Sequence, residues 1–206
     1  MLSSDVTVAL ISLAGVAFSG LCGVAGILIN NWYKSKWSPA LERKNVMTGL
    51  AVMHRIYQRM EEIADTGAER VILFAGHNSG GVPRAHSPFW TTALHWVIKD
   101  KPTQISPSDY HGIPVDAEYI KMLLDAEADG EILLSTGKMT KCQLKTYYLA
   151  EGVTHSVIYY IGIKEHKFLY LSAAKFADEP FSQRELAMMR LKVQAIRNSV
   201  MSGIFK

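Results

Sequence analysis

The chain has 206 residues, 49% of them hydrophobic, with a formal net charge of +3, seven histidines and two cysteines. That length leaves room for one domain of ordinary size beside a short extra segment, and Cys22 and Cys142 alone exclude a disulfide framework. The basic excess gathers in one short stretch rather than in a long stripe with interleaved aromatics, so nucleic acid is not expected as a partner.

After a short N-terminus, residues 1–5, the stretch from Val6 to Ile29 carries no charged side chain over 24 residues. As a helix it would be about 36 Å long at about 1.5 Å per residue, enough to cross a hydrocarbon core of about 30 Å. Only Asp5 is charged before the run, and the run ends in bulky Ile27-Leu28-Ile29. A cleaved leader would open with a cation and close on small residues, so the pattern predicts a retained single-pass transmembrane helix. Gly15, Ser19 and Gly23 share one of its faces, the small-residue spacing that lets two membrane helices pair. Residues 30–39 form a collar in which Trp32, Tyr33 and Trp37 suit headgroup depth and Lys34 and Lys36 can reach lipid phosphates. With Arg43 and Lys44 just beyond, the positive-inside rule puts residues 40–206 on the cytoplasmic side of the cell (inner) membrane, with lipid as a partner.

From Ala40 to Ala64 the pattern is helical. Val46, Leu50, Met53, Tyr57 and Met60 step by four and three, the spacing of a heptad seam, and predict a homodimer contact. Ile56 and Ile63 widen the stripe, so this helix can serve its own sheet as well. Arg70 to Gly76 (RVILFAG) reads as a central strand, and Trp90 to Lys99 as a second. Three prolines make Asp100 to Pro114 mostly loop. Asp116 can cap a helix to about Ala128 with Tyr119, Ile120, Leu123 and Leu124 on its apolar face. A strand, Glu131 to Ser135, and a helix, Thr140 to Ala150, follow. Two strongly β-like runs, His155 to Ile163 and Phe168 to Ala173, flank a tight turn. Ser182, with Glu185 in the capping-box position, then opens a last amphipathic helix. Paired strands at both ends of this order predict an α+β fold, an antiparallel sheet with helices packed mainly on one face.

The most unusual local string is His77-Asn78-Ser79-Gly80-Gly81, which follows a buried strand. Adjacent glycines permit positive φ and close approach of backbone N–H groups to an anion or a carbonyl. With Arg84, and with His86 and His111 if the two long loops meet, it makes a candidate ligand-binding site. No phosphate-binding Gly-Lys-Ser/Thr follows it, no histidine pair has zinc-protease spacing, and no nucleophile elbow occurs. The residues assign no catalytic group, no metal site and no cofactor.

The order of elements and the stretch from Leu144 to Ile196 resemble the GAF domain: a short helix ending in EGV, the strands SVIYYIGI and FLYLSAA, then PFSQRE opening the final helix. The resemblance covers about Ala40 to Val200, and PAS-like and roadblock-like domains share parts of the pattern. It implies that the first and last helices lie on one sheet face and often build a parallel dimer, while the other face holds a small ligand. Nothing places Cys142 in the role of the chromophore-attaching cysteine of bilin-binding members. The resulting expectation is a membrane-anchored GAF-like sensory or scaffolding module, without an output domain of its own, that binds a small-molecule ligand or a protein partner. The alternatives are a membrane-tethered enzyme with its site at the His77 loop, and a small-genome (viral or phage) membrane interaction protein.

Overall fold

The structure, a computed structural model, describes residues 42–78, 89–99 and 107–201. The expected membrane helix 6–29, its pairing residues Gly15, Ser19 and Gly23, and the collar 30–39 lie outside the described residues. Among the described residues no helix is long and apolar enough to cross a membrane. The chain divides into two units, Met1–Leu50 and Ala51–Lys206. Of the first, residues 42–50 are described: they are helical, with Val46, Met47 and Leu50 exposed.

Helix α1 comprises residues 42–64 and ends in a turn over residues 65–67, where Gly67 has φ 119°. The strands that follow are β1 (Arg70–His77) and β2 (Trp90–Ile98). A 3-10 turn, Pro107–Tyr110, precedes β3 (Ile113–Pro114), helix α2 (Ala117–Asp129) and β4 (Glu131–Ser135). Helix α3 (Gln143–Glu151), strands β5 (His155–Lys164) and β6 (Lys167–Lys175), and helix α4 (Gln183–Met201) complete the chain. The six strands form one antiparallel sheet in the order β3-β2-β1-β6-β5-β4. Strands β5 and β6 turn through Glu165 (φ 50°) and His166 (φ 63°), the two consecutive left-handed residues that a two-residue hairpin loop requires.

Helices pack on both faces of the sheet, two to a face. The expectation of helices mainly on one face is thereby corrected. Val52, Ile56 and Ile63 of α1 and Met189 and Ile196 of α4 cover Val71, Leu73 and Ala75. Tyr119 and Leu123 of α2 and Leu144 and Tyr148 of α3 cover Ile72, Phe74 and Tyr170. The reason stands in β1 itself. Its residues are buried from Arg70 to Gly76 without alternation, as in a strand covered on both sides, whereas a sheet with one wet face alternates.

Local chemistry sets the helix starts. The Asp116 carboxylate accepts from the Tyr119 N–H at 2.9 Å and caps α2, while its second oxygen accepts from the Gln143 N–H at 2.6 Å at the start of α3. Ser182 Oγ accepts from the Glu185 N–H at 3.2 Å and Glu185 accepts from the Ser182 N–H at 2.6 Å, a reciprocal capping box. Two expectations change in detail. The segment expected as loop contributes β3, whose Pro114 is tolerated because it sits on the sheet edge. Helix α2 buries Tyr119, Leu123 and Ala126 but leaves Ile120 and Leu124 exposed.

The expected dimer seam is split. Met60 is 0% exposed in the domain's own core and is unavailable to a partner chain. Tyr57 is half-buried, its ring edge-on to His95 at 4.9 Å between centroids. Val46, Leu50 and Met53 are 55%, 53% and 37% exposed. A heptad stripe reads the same whether it meets a sheet or a second helix, which is why Met60 was expected at the wrong contact.

The contrast can be measured. Met60→Ala should lower unfolding free energy by about 2–5 kcal/mol, the cost of truncating a buried large side chain. Met53→Ala should change the stability of the monomeric fold by less than about 0.5 kcal/mol, and urea denaturation followed by circular dichroism separates the two. His95 makes a second test. It is 7% exposed, and desolvation holds its imidazole below the ordinary value of 6.5. The unfolded chain therefore takes up this proton at a higher pH than the folded chain does. Stability is complete above about pH 6.5 and should fall as pH drops through that value, by up to about 1.4 kcal/mol per pH unit. His95→Leu should flatten that part of a stability-against-pH curve.

Candidate functional site

Because side chains alternate along β1, Arg70, Ile72 and Phe74 face α2 and α3, while Val71, Leu73 and Ala75 face α1 and α4. Arg70 is 1% exposed, which makes it a charge on the inner surface of the layer. It forms an ion pair with Glu151, the last residue of α3, and its second terminal nitrogen donates to Ser172 Oγ of β6 at 3.2 Å. The guanidinium carbon lies 5.3 Å from the Tyr148 ring centroid and 5.8 Å from that of Tyr110, so two aromatic faces share its charge. Around this pair runs a chain of hydroxyls. Ser156 Oγ and Tyr148 OH are 2.9 Å apart, Tyr148 OH and Ser172 Oγ 3.3 Å, and Tyr119 OH and Tyr170 OH 2.6 Å.

Burial raises the Tyr110, Tyr119 and Tyr170 phenols above their ordinary range, so all three stay neutral and act as hydrogen-bonding groups rather than bases. The cluster encloses a cavity of about 10 Å³, bordered among others by Arg70, Phe74, Tyr110, Tyr147 and Glu151. That is the scale of one water molecule. Three buried polar atoms of its lining have no hydrogen-bond partner among the described residues: Arg70 Nε, Glu151 Oε1 and Tyr110 OH. The arrangement therefore offers one donor, one acceptor and one group that can be either.

Of the site expected from sequence, Ser79, Gly80, Gly81, Arg84 and His86 lie outside the described residues. His77 ends β1 on the side of α1 and α4, opposite the cavity, half-buried with its Nε2 3.2 Å from Thr92 Oγ. It borders an open groove of about 450 Å³ with Thr92, Leu94, Glu165 and His166. Asn78 is buried beyond it and His111 is exposed. The Gly112 N–H donates to the same Thr92 hydroxyl at 3.3 Å, so the segment carrying His111 reaches the partner that His77 uses. Among the described residues no group of three or more His, Cys, Asp or Glu side chains is arranged to hold a metal ion. Cys142 caps α3, its Sγ accepting from the Lys145 N–H at 3.4 Å. Sequence reading passed over Arg70 and Glu151; a lone charge heading an otherwise apolar strand was the available signal.

No protein-family model matches the sequence, and no curated protein matches it. Solved structures do match in fold. The chain is similar to the GAF domain/HD domain protein of Geobacter sulfurreducens at 13% identity and a TM-score of 0.52, covering 75% of this chain and 94% of that one. It is similar to a photoproduct-state GAF domain of Synechocystis at 11% identity and a TM-score of 0.52, covering 75% and 96%. A far-red cyanobacteriochrome photoreceptor aligns at 10% identity and a TM-score of 0.53, covering 79% and 97%. The chain has a GAF-like fold.

The buried pair predicts its own mutational pattern. Glu151→Ala should destabilise the domain by about 3–5 kcal/mol, because it strands a buried cation. Arg70→Met combined with Glu151→Leu should recover most of that loss, since an apolar pair of similar volume needs no charge partner. Chemical denaturation of the two variants beside the parent reads both outcomes.

Proposed function

We propose that this protein is a sensory ligand-binding module, held at the cytoplasmic face of a membrane by residues 6–29 and working as a homodimer. The single observation that carries the reading is the polar cluster walled in between the sheet and α2 and α3 of a GAF-like fold. Stability alone is a poor reason to keep an ion pair under apolar cover. The sheet supplies a route outward from that cluster. Strand β1 presents Arg70, Ile72 and Phe74 to the cavity face and Val71, Leu73 and Ala75 to the helices on the other side. Strand β6 ends in Lys175, whose ammonium donates to Glu185 at the start of α4 at 2.8 Å. A ligand that shifts β1 or β6 would thus be felt by α1 and α4. The uncharged run from Val6 to Ile29 supports the anchor, and the exposed Val46, Leu50 and Met53 support self-association. Two copies in one membrane share orientation and a raised effective concentration, so a modest seam suffices.

The test uses the full chain in detergent micelles. Sedimentation should give a dimer, and Leu50→Glu with Met53→Glu should give folded monomers with an unchanged circular dichroism spectrum. Native mass spectrometry of the same sample should report a small molecule retained by both forms. A monomeric parent removes the dimer from the proposal, and recovery of the protein in the carbonate-extractable fraction of cells removes the anchor.

A further inference from the structure

We infer that the outer edge of β4 docks an extended segment of a partner protein, which joins the sheet as a further strand and carries an aliphatic side chain preceded by an acid. The inference stands apart from the cavity beside Arg70. It starts from the difference between the two edges of the sheet. Edge strand β3 has two residues and ends in Pro114, which has no N–H to offer a neighbour. Edge strand β4 has five, Glu-Ile-Leu-Leu-Ser, without proline or lysine, and pairs with β5 without a bulge. Short length, proline, lysine and bulges are the devices that keep an edge from pairing, and apart from its modest length β4 has none of them.

The register tells which groups are on offer. The Tyr160 N–H donates to the Gly130 carbonyl at 3.0 Å and the Thr136 N–H to the Thr154 carbonyl at 2.9 Å. Backbone groups along an antiparallel strand turn to opposite neighbours at alternate residues, so Ile132 and Leu134 face β5 as well. Glu131, Leu133 and Ser135 therefore turn their N–H and C=O groups outward. Among the described residues only the Ser135 carbonyl has a backbone partner there, the Met139 N–H at 3.1 Å. That bond ends the edge beside an open groove of about 660 Å³, lined by Leu133, Met139, Pro180 and Phe181 together with Lys138 and His155. Leu133 is 52% exposed, so its side chain stands uncovered where edge and groove meet.

These features select the occupant. On an added strand, the side chain opposite Leu133 lies on the same face of the sheet, where an aliphatic group packs on Leu133 and reaches the groove. The Asp178 carboxylate is 3.8 Å from His155 Nε2 and is its counter-ion when the imidazole is protonated. Lys138 is exposed and has no ion pair among the described residues, so an acid on the segment answers it. Antiparallel pairing, the pattern throughout this sheet, places that acid on the N-terminal side of the aliphatic residue. A second copy of this chain would offer Leu133 preceded by Glu131. That carboxylate is already held by two nitrogens of Arg190, which favours a different protein.

The experiment follows amide hydrogen exchange in the full chain, labelled with nitrogen-15 in detergent micelles. In the free chain the Glu131 and Leu133 amides should exchange fast, and those of Ile132 and Leu134 slowly. The probe peptide acetyl-Glu-Thr-Ile-Thr-Thr-amide should protect the Leu133 amide saturably. Methylating its isoleucine nitrogen removes the donor to the Leu133 carbonyl and should weaken binding at least about tenfold. Lysine in place of the peptide glutamate should also weaken it, and Lys138→Glu should reverse that preference. Equal protection by the methylated peptide, or protection by none of the peptides, overturns the edge as a docking site. Equal binding of the glutamate and lysine peptides overturns the acidic partner. Protection of Leu133 that grows with chain concentration before any peptide is added makes the occupant a second copy and overturns the partner protein.

Discussion

The ion pair between Arg70 and Glu151 is the constraint around which the α2 and α3 face of this domain is arranged. A guanidinium 1% exposed at the head of the central strand cannot stand without a counter-charge, and that charge comes from a helix 81 residues further along the chain. The geometry of α3 follows. Glu151 is its last residue, and Gly152 adopts φ 77°, so the backbone leaves the helix immediately after the carboxylate has been delivered. At the other end Asp116 accepts from the Gln143 N–H, which ties the start of α3 to the start of α2. A helix of nine residues is thus held at both ends by a carboxylate, one exposed and one buried.

Cover on both faces gives the sheet a second property. In β1, β5 and β6 neighbouring residues belong to different cores: Val157 packs with α1 and α4, and Ile158 with α2 and α3. Close packing transmits displacement, because interiors of this density leave little room to absorb it. The two cores are therefore mechanically one object divided by a sheet a single layer thick.

Much of this was legible in the residues. Both capping motifs, the β5–β6 turn and the amphipathic face of α4 stand in the sequence as they stand in the structure, because each is settled by residues a few positions apart. The continuous apolar run of β1 also announced a strand covered on both sides, although a one-sided sheet was expected. Arg70 escaped for a physical reason: a charge at a strand end ordinarily marks the way out to solvent, and its partner lies on an element whose approach no local pattern encodes. His77 drew attention by its glycine-rich surroundings. Its seven-residue separation from Arg70 along one strand puts the two on opposite faces, a parity that the sequence contains.

The register of the sheet also bears on how the chain reaches this state. The hairpin of β5 and β6 closes over a two-residue turn, and β1 and β2 are joined by a connection of modest length, so both can form early. The bond between these halves is β1 to β6, in which Arg70 lies opposite Ala174. Closing a loop of that span carries an entropic cost that short-range pairing does not. On the ribosome, β1 leaves the exit tunnel long before β6 has been synthesised, and until then one edge of a nearly uncharged strand has no neighbour. Assembly of the sheet is therefore a late event, and the interval before it is when this chain is most exposed to pairing with the wrong strand.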